Sequence, residues 1–207
     1  MRRVVVDPGA PQRDAIEEAA KWILAGRVVA IPTDTLYGLA VDPFSAAAVD
    51  ALFAAKDRPA ERAVPLIAAD RAQVDASLGA LTPVAARLAD RGWPGPLTLL
   101  VQAPRGLAPA VTSGGTVGVR VPHHDVARAI ARAAGRPITA TSANVSGEAA
   151  TDDPDRVEAS LGARIDFMID AGRTPGGPPS TIVDVTGAAP RLVRAGAIAW
   201  DEIQRWL

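Results

Sequence analysis

The sequence predicts an α/β fold: one domain over residues 1–207, with helices covering a mixed sheet. Three observations predict it. Short β-branched runs alternate with amphipathic helical patterns along the whole chain, as layered α/β domains require. Two late strands are joined by a hairpin turn, which adds antiparallel pairing to the sheet. Apolar residues make up 48% of the 207, enough for one buried core although 43 of them are alanine. No repeat or linker interrupts the pattern.

Val4 to Val6 reads as a strand. Pro11 to Ala25 reads as a helix with Ile16, Ala20, Ile23 and Leu24 on one face and Gly26 as its stop. Val28 to Ile31 is a buried strand that ends in the polar turn Pro32-Thr33-Asp34-Thr35-Leu36-Tyr37-Gly38. Ser45 caps a helix reaching about Lys56, and Pro59 stops it. A strand at Val64 to Ala68, short helices after Asp70 and Thr82, and strands at Leu97 to Ala103 and Thr116 to Val121 follow. Asp125 to Ala134 is a helix closed by Gly135, and Ile138 to Thr141 a buried strand. A helix at Pro154 to Leu161 precedes strands at Phe167 to Asp170, Thr181 to Thr186 and Arg191 to Arg194. Gly187 to Pro190 turns the last two into a hairpin, and Ile198 to Leu207 is the final helix. The stretch Gly172 to Pro179 reads as a functional loop inside the chain.

Composition excludes several functions. With 22 basic and 23 acidic residues the net charge is -1, which excludes a polybasic nucleic-acid coat. No apolar run approaches the ~20 residues of a membrane helix, and the start is too short for a signal peptide, so a cytoplasmic location without membrane contact is expected. The absence of cysteine removes disulfides, thiolate chemistry and cysteine-ligated metals. Of the basic residues only Lys21 and Lys56 are lysine, Asn144 is the sole asparagine and Tyr37 the sole tyrosine.

Common chemical motifs are missing: there is no phosphate-binding Walker loop, dinucleotide fingerprint, nucleophile elbow or zinc-binding H-E-x-x-H. His123-His124-Asp125 lacks a third ligand in view, so no metal site is assigned. Instead, four polar segments fall at element ends, where open α/β sheets place ligands. Thr33 and Thr35 flank Asp34 after one strand, and Lys56-Asp57-Arg58 ends a helix. Ser142-Ala143-Asn144 follows another strand, and Arg120 and Arg194 close two more. A mobile point charge, planar guanidinium forks and neutral hydroxyl and amide groups suit a triphosphate and an amino-acid carboxylate. Such a set positions and neutralises; it does not form a covalent intermediate.

Pro32 to Leu39, Lys56-x-Arg58-Pro59, Trp93-Pro94-Gly95-Pro96-Leu97-Thr98, Val119-Arg120-Val121-Pro122, Thr141 to Gly147, Ser180 to Asp184 and Arg194-Ala195-Gly196 together resemble the YrdC/TsaC family in order and spacing. The likeness runs from about Val28 to Gly196 and is to the short, single-domain bacterial type. It implies a twisted open YrdC-like sheet and the activity of L-threonylcarbamoyladenylate synthase, which joins L-threonine, bicarbonate and ATP and releases pyrophosphate. The product feeds threonylcarbamoyl modification of tRNA adenosine.

By the same resemblance the catalytic set is Lys56, Arg58, Ser142 and Asn144. The ATP side comprises these four with Arg62, Thr116 and Arg194, and the threonine side Thr35, Arg120, Ala140 and Ser180. Arg62 stands where many relatives carry a neutral or lysine side chain, and Ile67 where archaeal-type members carry a histidine that helps hold threonine. Mg²⁺ enters with ATP, with no permanent cofactor and no protein metal site. The implied partner is a downstream threonylcarbamoyl-transferase complex of the TsaD/TsaB/TsaE type, and a contact with tRNA or double-stranded RNA is admitted. Two alternatives stand beside the synthase: an RNA-binding module of the same fold, and a carbamoyl-transfer paralogue of the YciO or HypF kind.

Overall fold

The computed structural model describes residues 1–57 and 63–207. Arg58 and Arg62, both expected in the nucleotide site, lie outside the described residues.

The chain begins with strand β1 (Arg2–Val5) and helix α1 (Arg13–Leu24), which buries Ala15, Ile16, Ala19, Ala20 and Ile23 along one stripe. Gly26, at φ +79°, turns the chain out of the helix. Strand β2 (Val29–Ile31) is wholly buried, and β3 (Gly38–Ala40) pairs back on it antiparallel. The sequence reading has only a turn up to Gly38 and no strand after it. Gly-Leu-Ala lacks the β-branched residues that mark strands, and pairing with the buried β2 supplies the preference instead.

Helix α2 (Ala46–Ala55) starts where Ser45 Oγ accepts from the Ala48 N–H. Strand β4 (Leu66–Ile67) follows. Asp70 and Thr82 cap α3 (Arg71–Leu78) and α4 (Pro83–Gly92) in the same way, the latter with proline in its first turn. Next come β5 (Leu97–Gln102), β6 (Thr116–Arg120) and α5 (Asp125–Ala133).

The expected strand at Ile138 to Thr141 is two short ones, β7 (Ile138–Thr139) and β8 (Thr141–Ser142), which belong to different sheets. Helix α6 (Pro154–Leu161), β9 (Phe167–Asp170), the β10 (Thr181–Asp184) and β11 (Arg191–Arg194) hairpin, and α7 (Trp200–Gln204) complete the chain. The last helix is shorter at both ends than its sequence pattern.

The strands form two mixed sheets, in the orders β1-β9-β2-β3-β8 and β11-β10-β5-β6-β4-β7. The mixed α/β class predicted from the sequence holds. Both sheets combine parallel pairs (β1/β9, β9/β2, β10/β5, β4/β6) with antiparallel ones (β2/β3, β3/β8, β5/β6, β4/β7, β10/β11). One apolar cluster holds Leu39, Leu52, Leu66, Leu88, Leu97 and Leu99; a second gathers Ile23, Ile31, Val126, Ile130, Ile138 and Phe167 under α1 and α5. Ala140 is the crossing between sheets. Its N–H donates to Pro65 O, while Thr139 before it donates to Val41 O. Among the described residues no helix is long and apolar enough to cross a membrane.

Candidate active site

Strand ends of both sheets meet around a cavity of about 670 Å³. Thr33, Thr35, Tyr37 and Gly38 face it from the β2–β3 segment and Ser142 from β8. Thr98, Thr116, Arg120, Ser180 and Arg194 face it from the other sheet. Of the expected threonine-side residues, the structure brings Thr35, Arg120, Ala140 and Ser180 to this one cavity. Thr116, Ser142 and Arg194 of the nucleotide side line it too.

Arg120 ends β6 with its side chain buried, only 10% exposed. Its Nη1 lies 2.9 Å from Asp34 Oδ1, close enough for an ion pair but out of line for a directed hydrogen bond. Asp34 Oδ2 accepts from the His123 N–H at 3.0 Å. Asp34 therefore ties the β2–β3 turn of one sheet to the end of β6 in the other. Burial pushes the Arg120 guanidinium below its usual range, and Asp34 pulls it back up. Arg194 is lowered first by burial and then by the like charge of Arg120. Among the described residues two cations thus share the cavity, with the Asp34 carboxylate paired beside them, a field that favours an anion.

Neutral donors complete the lining. Thr33 Oγ1 donates to Leu36 O (2.6 Å), accepts from the Thr35 N–H (3.2 Å) and lies 3.2 Å from Thr35 Oγ1, which fixes the turn that presents Thr35. Thr35 O accepts from the Gly176 N–H and from Thr174 Oγ1, both at 2.8 Å, so the Gly172 to Pro179 loop is anchored to the site. Tyr37 is fully buried. Its hydroxyl donates to Gly172 O and accepts from the Ala171 N–H, and burial pushes its pKa far up, so it stays protonated.

Lys56 and Asn144 are not among the cavity-lining residues. Lys56 is buried at 2% exposure, and its Nζ donates to Ser142 O, to Asn144 O (2.8 Å) and to Asn144 Oδ1 (3.3 Å). Asn144 Nδ2 donates to Val145 O and Glu148 O, and the Ser146 N–H to Lys56 O. The rare lysine and the sole asparagine are brought together, and together they shape the loop that carries Ser142. Asp57, next in the chain, takes a left-handed φ of +48° and pairs with Arg164 at 2.6 Å.

Sequence reasoning assigned no role to Asp34, Thr98 or Tyr37. Asp34 stood between two hydroxyls, Thr98 closed the Trp93-to-Thr98 motif, and Tyr37 was unique in the composition. None of these signals names a partner in the other sheet.

The family profile described as "Telomere recombination", that of the Sua5, YciO and YrdC proteins, matches residues 21–196. A threonylcarbamoyl-AMP synthase of Pyrococcus abyssi is 37% identical over 200 residues, or 93% of this chain. The chain spans 58% of that relative's length. The crystal structure of P. abyssi Sua5 complexed with L-threonine superimposes with a TM-score of 0.93 at 34% identity, covering 100% of this chain and 61% of that one. The crystal structure of E. coli YciO superimposes at 0.88 with 25% identity, covering 98% and 100%. With the profile matching residues 21–196, most of its length, the chain belongs to the Sua5/YciO/YrdC family.

Proposed function

We propose that this chain is an L-threonylcarbamoyladenylate synthase, a nucleotidyltransferase that makes threonylcarbamoyl-AMP and pyrophosphate from L-threonine, bicarbonate and ATP. The observation that carries the reading is the convergence of Arg120 and Arg194, with the hydroxyls of Thr35, Thr116, Ser142 and Ser180, on one cavity whose remaining lining is largely apolar. Such a site binds anions, positions them, and offers no nucleophile of its own.

Arg120 takes the threonine carboxylate, held ready by Asp34. Thr35, Ala140 and Ser180 surround the rest of the amino acid. The amine nitrogen bonds to the bicarbonate carbon and water leaves, giving a carbamate. A carbamate oxygen then attacks the α-phosphorus of ATP; the new P–O bond forms as the bond to the β-phosphate bridging oxygen breaks, and pyrophosphate departs with those electrons. No strong base is required, since the carbamate is already anionic and the buried Tyr37 hydroxyl keeps its proton.

Thr116, Ser142 and Arg194 face the nucleotide, with Lys56 and Asn144 supporting the Ser142 loop from behind. Arg58 and Arg62 are proposed for the same side. The cavity presents hydroxyls and guanidinium groups, a poor cage for a divalent ion, so Mg²⁺ would enter on the ATP phosphates and no step is assigned to it. Residues 1–207 act as one YrdC-like domain, in the cytoplasm, and hand their product to a threonylcarbamoyl-transferase complex acting on tRNA.

The test is to mix the protein with ATP, bicarbonate and L-threonine, and to measure pyrophosphate and threonylcarbamoyl-AMP. Release that depends on both threonine and bicarbonate is expected. Equal release with either omitted would overturn the synthase reading; inactivity with every combination would favour a paralogue of the YciO kind.

A further inference from the structure

The motif Trp93 to Thr98 brings its last residue to the cavity. Thr98 lies on β5, opposite Ile182 of the parallel β10, and is buried at 2% exposure. Its Oγ1 sits 2.8 Å from Ser180 Oγ. Arg194 Nη2 donates to the same Ser180 oxygen at 3.2 Å and to Ser180 O at 2.7 Å.

The protons can be assigned by counting. A serine hydroxyl has one proton and two lone pairs, and a guanidinium only donates. Arg194 therefore fills one lone pair of Ser180 Oγ. Were Ser180 to donate to Thr98, the Thr98 proton would be left in a buried space where no other hydrogen-bond partner is found among the described residues. A buried unpaired donor is costly, an unfilled lone pair less so. Thr98 therefore donates. Both lone pairs of Ser180 Oγ are then occupied, and its own O–H is the group left to meet a ligand. Packing fixes the Thr98 side chain in this role: a Cβ at Gly118 would come within 3.2 Å of Thr98 Cγ2, so the methyl fills the space that glycine leaves beside it.

We infer that Thr98 is a positioning residue that commits the Ser180 hydroxyl to donating into the cavity, so that Ser180 recognises an oxygen acceptor on the amino-acid substrate. The inference rests on the proposed placement of Ser180 on the threonine side.

Threonine binding is measured by isothermal titration calorimetry, and KM for threonine and for ATP by pyrophosphate release, in the wild-type protein and in Ser180→Ala, Thr98→Val and Thr98→Ser. Thr98→Val is expected to weaken threonine binding and raise its KM about tenfold, in line with one misdirected hydrogen bond, with KM for ATP unchanged. Thr98→Ser, which keeps the hydroxyl, should return both to near the wild-type values. If Thr98→Val does not fold, Thr98→Ala removes the same hydroxyl and takes its place. Wild-type protein that binds no threonine would overturn the proposed function and this inference with it. Threonine binding that is normal in Thr98→Val but weakened in Ser180→Ala would overturn the inference alone, as would normal binding in Ser180→Ala, an equal rise in both KM values, or no rescue by serine.

Discussion

Replacing Lys56 by methionine should cost stability and activity together. The ammonium is buried and donates to three oxygens of the 142–144 loop. Removing it leaves those neutral acceptors without their charged donor, and since a hydrogen bond to a charged group is worth about 1.5–3 kcal/mol, losing three of them costs about 3 kcal/mol or more. For a chain of this size each kcal/mol moves the melting temperature by roughly 2–4 °C, so a fall of about 6–12 °C is expected by calorimetry. Ser142 would shift with its loop, and a displacement of about 1 Å in a positioning group can cost ~10²-fold in rate. Lys56→Arg should fail similarly, because a wider planar head overfills the same buried seat. From the sequence alone Lys56→Arg is expected to lose activity at constant stability; the burial of Nζ replaces that with a coupled loss. Lys21→Met is the control, an exposed helix position where changes stay within about 0.5 kcal/mol. An inactive Lys56→Met that melts with the wild type would refute the reasoning and place the ammonium on the substrate instead of the loop.

Asp34→Ala leaves Arg120 buried without its carboxylate, so a loss of about 3 kcal/mol is expected in denaturant unfolding; an unchanged midpoint would mean that the pair contributes nothing. Gly196→Ala places a Cβ 2.3 Å from Pro179 O and 2.5 Å from Ser180 C. Backbone must move at the start of β10, and a rise in the threonine KM with a lower melting temperature is expected; normal values for both would show that the close approach is relieved elsewhere. His124 is lowered first by burial, against raising contributions from Asp34 and Asp125, and its Nδ1 is buried without a partner among the described residues. The unfolded chain then binds the proton first as pH falls below about 6.5, so this group's contribution drains stability from there down to its folded pKa. His124→Gln should flatten the pH dependence of the melting temperature in that window, and a profile identical to the wild type would exclude the histidine as its source.

What the sequence revealed and what it hid follow from the range of the interactions. Caps at Ser45, Asp70 and Thr82 were legible because donor and acceptor lie three residues apart. The stripe of α1 was legible because burial repeats with the helical period. Strand β3 was not, since nothing in Gly38-Leu39-Ala40 favours extension until β2 lies beside it. Tyr37 to Gly172, Asp34 to Arg120 and Thr98 to Ser180 are contacts between distant segments, for which one sequence contains the residues but no statement of pairing. Lys56 shows the same limit from the other side. Its rarity singles it out, and the structure finds it buried against the 142–144 loop, but composition cannot distinguish a charge that faces substrate from one that holds the loop behind it.

Ala140 gives the physical reason why the site lies where it does. The run Ile138 to Thr141 reads as one strand because all four residues suit a buried extended chain, yet its first half pairs with β4 and its second with β3. Where a chain leaves one sheet for another, backbone on either side of the crossing cannot be filled by a single ladder, and the two sheets must part. The cavity occupies that parting. Ala140 lines it with a small side chain, Arg120 lines it from β6, one strand beyond β4, and Ser142 lines it two residues later. A larger residue at 140 would take up room in the cavity that Arg120 and Thr35 also line. Ala140→Leu is accordingly expected to remain folded, with an unchanged near-ultraviolet circular dichroism spectrum, and to lose threonine binding, whereas retained binding would show that the amino acid lies away from the crossing.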